Sequence, residues 1–148
     1  MPTRREWLAA AMAALIANRA AATPVRRATM RIRKNPGCGC CDKWAEHLEK
    51  LGFDVTVEED ERLDAYRDRA GVPRQLRSCH TGEVGGYLVE GHVPGDLVRR
   101  MLDEKAEIAG LAVPGMPMGS PGMEGAVKHD YDVIAFRKNG STFVYASR

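Results

Sequence analysis

Residues 30–44 read MRIRKNPGCGCCDKW, and this stretch contains the signals for a strand, a break and the start of a helix. Apolar and charged residues alternate over 30–33, as in a half-buried strand, and Pro36-Gly37 interrupts the strand. Apolar residues then recur at helical spacing over 44–51, which predicts an amphipathic helix that begins at the cysteines. The cysteines therefore stand where a strand passes into a helix, and the positive end of the helix dipole favours thiolates there.

The rest of the chain continues the alternation of strands and helices. The predicted elements are a strand over 53–57, a helix over 60–71, antiparallel strands over 75–79 and 87–89 around a turn at 81–83, and a helix after Pro94. Asn139-Gly140 between apolar runs predicts a hairpin over 131–145, after a loop over 114–125 rich in Pro, Gly and Met. The prediction is one α/β domain of order β-α-β-α-β-β-α, with a Met-rich loop and an added C-terminal β-hairpin.

The composition agrees with one globular domain. The chain has 148 residues, of which 44% are hydrophobic and 28% are charged. No order of residues typical of a Ser-His-Asp hydrolase, a phosphate loop or a carboxylate dyad stands out, so the cysteines carry the predicted chemistry.

Residues 1–22 have the pattern of a twin-arginine-like signal peptide. Arg4-Arg5 precedes an apolar run over 8–17 that is short for a membrane span, and Ala20-Ala21-Ala22 resembles a cleavage site. We therefore predict a mature domain over 23–148 and a periplasmic location. Cleavage would leave 19 of the 22 basic and 19 of the 20 acidic residues. This balance predicts no nucleic-acid partner, and no membrane association is expected after cleavage.

The order of elements resembles the thioredoxin fold. Cys38-Gly39-Cys40-Cys41 stands where thioredoxins carry Cys-Gly-Pro-Cys, and Val72-Pro73 precedes the predicted third strand. The resemblance implies that Pro73 is cis and lies beside the cysteines.

A more specific resemblance is to the CopG-type family of bacterial copper-resistance proteins, marked by C-x-C-C-x-x-W. Here that motif spans Cys38 to Trp44. The segments at 78–81, 85–87, 90–94 and 114–123 also resemble the family, from SCHT to PGMPMGSPGM. The resemblance covers the chain from about Met30 to the C-terminal hairpin. It implies a thioredoxin-like fold, copper bound by cysteines, a suspected redox role and periplasmic copper-handling proteins as partners.

Four cysteines are the primary candidate metal ligands. They are Cys38, Cys40, Cys41 and Cys79. Thiolates are soft donors that select Cu(I), zinc or iron–sulfur clusters. Adjacent side chains at Cys40 and Cys41 diverge, so thiolates that bridge more than one Cu(I) ion are expected. An oxidised state with a disulfide between Cys38 and Cys41, and another between Cys40 and Cys79, is also open.

Methionines and histidines extend the candidate donor set. Met116, Met118 and Met123 lie in the Pro- and Gly-rich loop without helical spacing, which favours a copper-collecting loop or a lid over a core stripe. His80 follows Cys79 and would point to the opposite face of a strand, and His92 precedes the third predicted helix. Both histidines are predicted to be ligands with the family resemblance included.

Three functions are consistent with these residues. The first is an exported copper-binding redox protein that holds several Cu(I) ions and acts in copper resistance or homeostasis. The second is a metal-free thiol-disulfide oxidoreductase, with Cys38 as the nucleophile and Cys41 as the resolving cysteine. The third is an iron–sulfur electron carrier held by the four cysteines.

Overall fold

The computed structural model describes residues 27–148, so the predicted signal peptide at 1–22 lies outside the described residues. Three α-helices follow in chain order: α1 Gly39–Lys50, α2 Leu63–Ala70 and α3 Gly95–Glu104. Seven strands form one sheet: β1 Thr29–Lys34, β2 Asp54–Glu59, β3 His80–Val84, β4 Tyr87–Glu90, β5 Gly110–Ala112, β6 Asp132–Phe136 and β7 Thr142–Ser147. The predicted α/β fold class is confirmed, and the elements as far as α3 follow the predicted order.

The sheet has the strand order β2-β1-β3-β4-β5-β6-β7. β1 pairs with β2 in parallel and with β3 antiparallel, and β4 pairs with β5 in parallel. The remaining neighbours are antiparallel, including the predicted terminal hairpin of β6 and β7. β1 therefore lies inside the sheet, and the loop after it brings the first three cysteines close to the start of β3.

The helices cover both faces of the sheet. Apolar residues of α1 and α3 pack with β1 and β4 in the main core, which includes the fully buried Met30, Trp44, Val89 and Met101. On the opposite face, Arg67 of α2 bonds to Thr81 of β3. Within the described part of the chain, no helix is both long and apolar enough to cross a membrane.

The third strand begins later than predicted. Residues Arg74–Leu76 form a 3-10 turn, and Leu76 is buried, so the prediction of a strand over 75–79 is wrong. The segment predicted as a turn, 81–83, lies inside β3. The chain reverses instead at Gly85-Gly86, where both residues have positive φ, the conformation that two-residue hairpin turns require.

Pro73 also differs from the prediction. Residues 27–148 contain no cis peptide bond, so the prediction of a cis Pro73 is wrong. Pro73 has φ −58° and ψ 132° and leads into the 3-10 turn, where its fixed φ suits the first position, instead of standing at the start of a strand. The resemblance to thioredoxin therefore does not extend to this proline.

Candidate metal centre

The first three cysteines lie at the start of α1, as the sequence predicts. Cys38 is the N-cap of the helix and has extended backbone, with Gly37 before it in a left-handed conformation. Cys41 is buried in the first helical turn, whereas Cys38 and Cys40 are partly exposed. Lys34 at the end of β1 donates to the Cys38 carbonyl at 3.4 Å and to the Asp42 carboxylate at 2.9 Å. These bonds fix the end of the strand against the first turn of the helix.

The four cysteine sulfurs form one cluster. Cys38 and Cys41 are joined by a disulfide, and Cys40 and Cys79 are free thiols. The Cys40 Sγ lies 3.5 Å from the Cys38 Sγ and 3.9 Å from the Cys79 Sγ. All four sulfurs lie within 4.8 Å of one another, which is close enough for a shared metal ion or for ions bridged by sulfur. Two of the four become thiolate donors only when the disulfide is reduced.

Cys79 reaches the cluster because it lies in the bend before β3. Its carbonyl accepts a hydrogen bond from the Asn35 N–H at 3.2 Å, which ties this bend to the loop that carries Cys38. Burial, with a smaller contribution from the neighbouring Cys40, raises the pKa of the Cys79 thiol to about 11. The metal-free thiol is therefore protonated at neutral pH, and a bound metal ion would displace that proton.

Two histidines lie beside Cys79. The Cys79 Sγ is 3.4 Å from His80 Nδ1 and 3.5 Å from His92 Nε2, and both rings are fully buried. Burial lowers the pKa of His80 to about 3, and burial also lowers the pKa of His92, so both rings are neutral at pH 7. The sequence argument placed His80 on the face opposite Cys79. The two side chains meet because β3 begins at His80, which leaves Cys79 outside the alternation of the strand.

The predicted methionine loop lies over Cys40. The Met116 Sδ is 3.9 Å from the Cys40 Sγ, and half of the Met116 residue surface is exposed. Met118 and Met123 line a cavity of about 350 Å³ with Cys40 and Gly122. The structure therefore places all three methionines near one thiol, where they are available as soft donors.

A buried ion pair supports the bend at Cys79. The Arg67 guanidinium and the Glu90 carboxylate are 2.7 Å apart, and both are almost completely shielded from solvent. The backbone N–H of Ser78 donates to Glu90 Oε1 at 2.7 Å, and Arg67 donates to the Ser78 carbonyl at 2.7 Å. The Thr81 hydroxyl donates to Glu90 Oε2 at 2.6 Å. Both partners of the pair therefore hold the residue that precedes Cys79.

Sequence reasoning missed this ion pair. Arg67 stands among the charged residues of α2 and has the appearance of a solvated helix residue. A signal was nevertheless present at Glu90, a carboxylate at the end of the apolar run Leu88-Val89 of β4. Charged residues in a strand that is buried on both faces require a partner.

Comparison with known proteins adds to this geometry. Two solved structures match. One is titled "Copper resistance protein copG- Form 2"; it is 41% identical, with a TM-score of 0.78, over 82% of this chain and 98% of that chain. The other, "Copper resistance protein copG- Form 1", is 42% identical, with a TM-score of 0.77, over 81% of this chain and 96% of that chain. The chain belongs to the CopG family of copper resistance proteins.

The resemblance predicted from the C-x-C-C-x-x-W motif is therefore confirmed. Residues 76–123 also match a family model described as a protein of unknown function, DUF411. That segment contains Cys79, both buried histidines and the methionine loop, but not the cysteines of α1. No curated protein matches this CopG-family chain.

Proposed function

We propose that this chain is an exported copper-binding protein of copper resistance, which holds more than one Cu(I) ion on its cysteine thiolates. The observation that carries the proposal is the convergence of four cysteine sulfurs within 4.8 Å. Soft thiolates prefer Cu(I) to the hard cations of the cell. The names of the similar structures support copper as the partner, and we propose periplasmic copper-handling proteins as the donors and acceptors of the metal.

The ligands in this proposal are the residues predicted from the sequence. The reduced Cys38, Cys40, Cys41 and Cys79 supply the thiolates, and Met116, Met118 and Met123 supply thioethers at the exposed edge. His80 and His92 supply imidazoles at the buried edge. Neighbouring thiolates on one helical turn point in different directions, which favours thiolates shared between ions over a single four-coordinate ion.

A redox step at Cys38 and Cys41 would limit how much copper the chain holds. Forming the disulfide removes two electrons and two protons from the two thiols, and a partner disulfide that becomes a dithiol can accept them. The disulfide withdraws two of the four thiolates. We therefore propose that the reduced chain holds more Cu(I) than the oxidised chain.

The test is the Cu(I) capacity of the reduced chain. The purified chain is loaded anaerobically with Cu(I), challenged with a competing Cu(I) chelator and desalted, and copper and free thiols are measured per chain. We expect more than one copper ion per chain with the thiols masked, and a clear reduction in Cys40→Ser. No retained copper, or an unchanged copper content in Cys40→Ser, would contradict the proposal.

A second candidate function is a metal-free thiol-disulfide oxidoreductase, and the disulfide between Cys38 and Cys41 favours it. In this function Cys38, which is more exposed than Cys41, attacks a substrate disulfide, and Cys41 resolves the mixed disulfide. Cys40→Ser would then leave the exchange rate nearly unchanged, whereas Cys38→Ser would abolish it. Equal losses in the two variants would count against this function.

Export is proposed from residues 1–22 alone. The test is the N-terminal sequence of the chain recovered from the periplasm of a bacterial host with the twin-arginine pathway. We expect a new N-terminus near Thr23 and retention in the cytoplasm when Arg4-Arg5 is replaced by Lys-Lys. Export of that variant at the full rate would contradict a twin-arginine signal.

A further inference from the structure

The disulfide divides the candidate donors into two groups. Cys38 and Cys41 are joined to each other and have no thiolate to offer in that state. Cys40 and Cys79 stay free, and the Cys79 Sγ lies within 3.5 Å of a ring nitrogen of both His80 and His92. Cys79 thus belongs to two sets of donor atoms: the four sulfurs, and a second set of Cys79, His80 and His92.

The second set has the spacing of ligands that share one ion. Ligand atoms bonded to a common ion at about 2.0–2.3 Å lie roughly 3–4 Å from one another. The Cys79 Sγ is 3.4 Å from His80 Nδ1 and 3.5 Å from His92 Nε2. The three donor atoms all lie within 4.8 Å of one another, so a small adjustment of the side chains would suffice for binding.

The hydrogen bond of His92 orients its free lone pair. His92 Nδ1 lies 2.7 Å from the Pro121 carbonyl, and a carbonyl can only accept, so Nδ1 carries the proton. Nε2 therefore presents its lone pair toward the Cys79 Sγ. A histidine that ligates a metal commonly donates its other N–H to a carbonyl in this way.

His80 directs its Nδ1 at the Cys79 Sγ. Its buried Nε2 makes no hydrogen bond of normal geometry in the part of the chain that the structure describes, and the Gly91 backbone is the other polar neighbour of the ring. The Trp44 ring lies 4.4 Å away, between centroids, and confines the imidazole.

We propose that Cys79, His80 and His92 form a second copper compartment, which holds one Cu(I) ion through sulfur and nitrogen while Cys38 and Cys41 are disulfide-bonded. This inference rests on the proposed copper function. Imidazole and thiolate both suit copper, and the compartment needs neither sulfur of the disulfide. Formation of the disulfide between Cys38 and Cys41 would then lower the copper content to one ion per chain and would not release the last ion.

The test compares the same chain in two redox states. The disulfide form is prepared with two free thiols per chain, and peptide mapping verifies the link between Cys38 and Cys41. It is loaded anaerobically with Cu(I), without a thiol reductant, in parallel with the fully reduced chain. Copper per chain is measured, and X-ray absorption at the copper edge distinguishes nitrogen from sulfur ligands.

We expect one Cu(I) per chain in the disulfide form, with both nitrogen and sulfur ligands. His92→Gln should lower Cu(I) affinity roughly tenfold or more and reduce the nitrogen signal. The matched control His129→Gln, at an exposed position, should change neither. The double variant Cys38→Ser with Cys41→Ser should bind copper as the disulfide form does, because it retains the same three ligands.

The outcomes separate the two proposals. No copper in the disulfide form, or copper held by sulfur alone, overturns the second compartment, even when the reduced chain holds several ions. One ion in both states supports the compartment and overturns the polynuclear thiolate site. Because the nitrogen signal is read on the unaltered chain, the test does not depend on whether His92→Gln folds.

Discussion

The two sides of the sulfur cluster are held in different ways. On the histidine side, formed by Cys79, His80 and His92, both rings are fully buried and the bend is bonded to an ion pair without solvent access. On the methionine side, formed by Cys40, Met116, Met118 and Met123, the side chains lie on a loop at the edge of a cavity.

A metal site needs both a fixed ligand geometry and a route for the ion, and the two sides differ in which of these they favour. Buried ligands that are confined by the surrounding side chains keep one geometry, which supports affinity. The thioethers of the loop, exposed at Met116 and partly buried at Met118 and Met123, are not confined in this way. In the proposed copper site they would let an ion enter or leave by exchange of one donor at a time. In the proposed copper site, the histidine side would therefore fix the position of the metal and the methionine side would provide access to it.

Removing the carboxylate of the ion pair should affect the histidine side most. Glu90→Gln removes the buried carboxylate partner of Arg67 and leaves the exposed Asp64 carboxylate at 3.1 Å, and breaking a buried pair costs about 3–5 kcal/mol. We expect the free energy of unfolding in urea to fall by that amount. Glu104→Gln, which breaks the exposed pair with Arg100, is the control and should have little effect. Equal losses would show that the buried pair has no special role.

Lowering the pH should destabilise the metal-free histidine side. The unfolded chain protonates His80 below pH 6.5, but burial keeps the folded pKa at about 3. Stability from the neutral ring is therefore complete above pH 6.5 and is lost toward pH 3, at about 1.4 kcal/mol for each pH unit. The free energy of unfolding in urea, measured between pH 7 and pH 4, should fall with this slope in the parent. In His80→Gln the slope should be smaller by the contribution of one bound proton. The same slope in parent and variant would refute the assignment, and His129→Gln serves as the control.

A methyl group added at Gly122 should push the methionine side away from the histidine side. Gly122 has φ +86°, and a Cβ there would lie 2.9 Å from the Cys40 carbonyl oxygen and 3.2 Å from His92 Nδ1. Gly115 in the same loop has φ +71° with no atom within 4 Å of its Cβ position. Both alanine variants carry the left-handed strain of about 1–2 kcal/mol, and Gly122→Ala adds the overlap. We expect Gly122→Ala to be the less stable variant, with faster alkylation of Cys40, whereas equal stability would mean that the loop moves away freely.

Changes in the methionine side should alter copper exchange and leave folding intact. Met116→Leu and Met118→Leu remove a thioether near Cys40 at nearly constant volume, so we expect unfolding to be unchanged and Cu(I) retention against a chelator to fall a few-fold. Met101→Leu, in the core between the helices and the sheet, is the chemical control and should retain copper normally. Copper retention equal to that of the parent in both loop variants would limit these methionines to packing.

The sequence predicted the secondary-structure elements correctly where neighbouring residues carry the signal. A strand, a breaker and a helix that starts at the cysteines can be predicted from residues 30–44, and Asn139-Gly140 identifies the last hairpin. The short strand β5 was missed because Gly110–Ala112 is buried throughout and shows no alternation. The start of β3 was misplaced because Pro73 begins a 3-10 turn, which propensity alone does not distinguish from a strand.

The sequence identified the candidate metal-donor residues of the site, but not the ion pair that holds the bend before Cys79. Cysteines, methionines and histidines are recognisable by their chemistry wherever they stand, and the structure brings them together. The ion pair of Arg67 and Glu90 depends on the pairing of α2 with β3 and β4, which joins residues distant in the chain. No local pattern reveals such a contact, since each charge alone resembles a surface residue.

The hydrogen bond between the Asn35 N–H and the Cys79 carbonyl bears on how the protein folds before copper is bound. It aligns the two cysteine-bearing segments by backbone pairing, directly beyond the last pair of the ladder between β1 and β3, Lys34 with His80. A zinc finger, by contrast, needs its ion in order to fold. We therefore expect the two cysteine-bearing segments to lie side by side without copper, so that a copper acceptor of the kind proposed here would need no metal in order to fold.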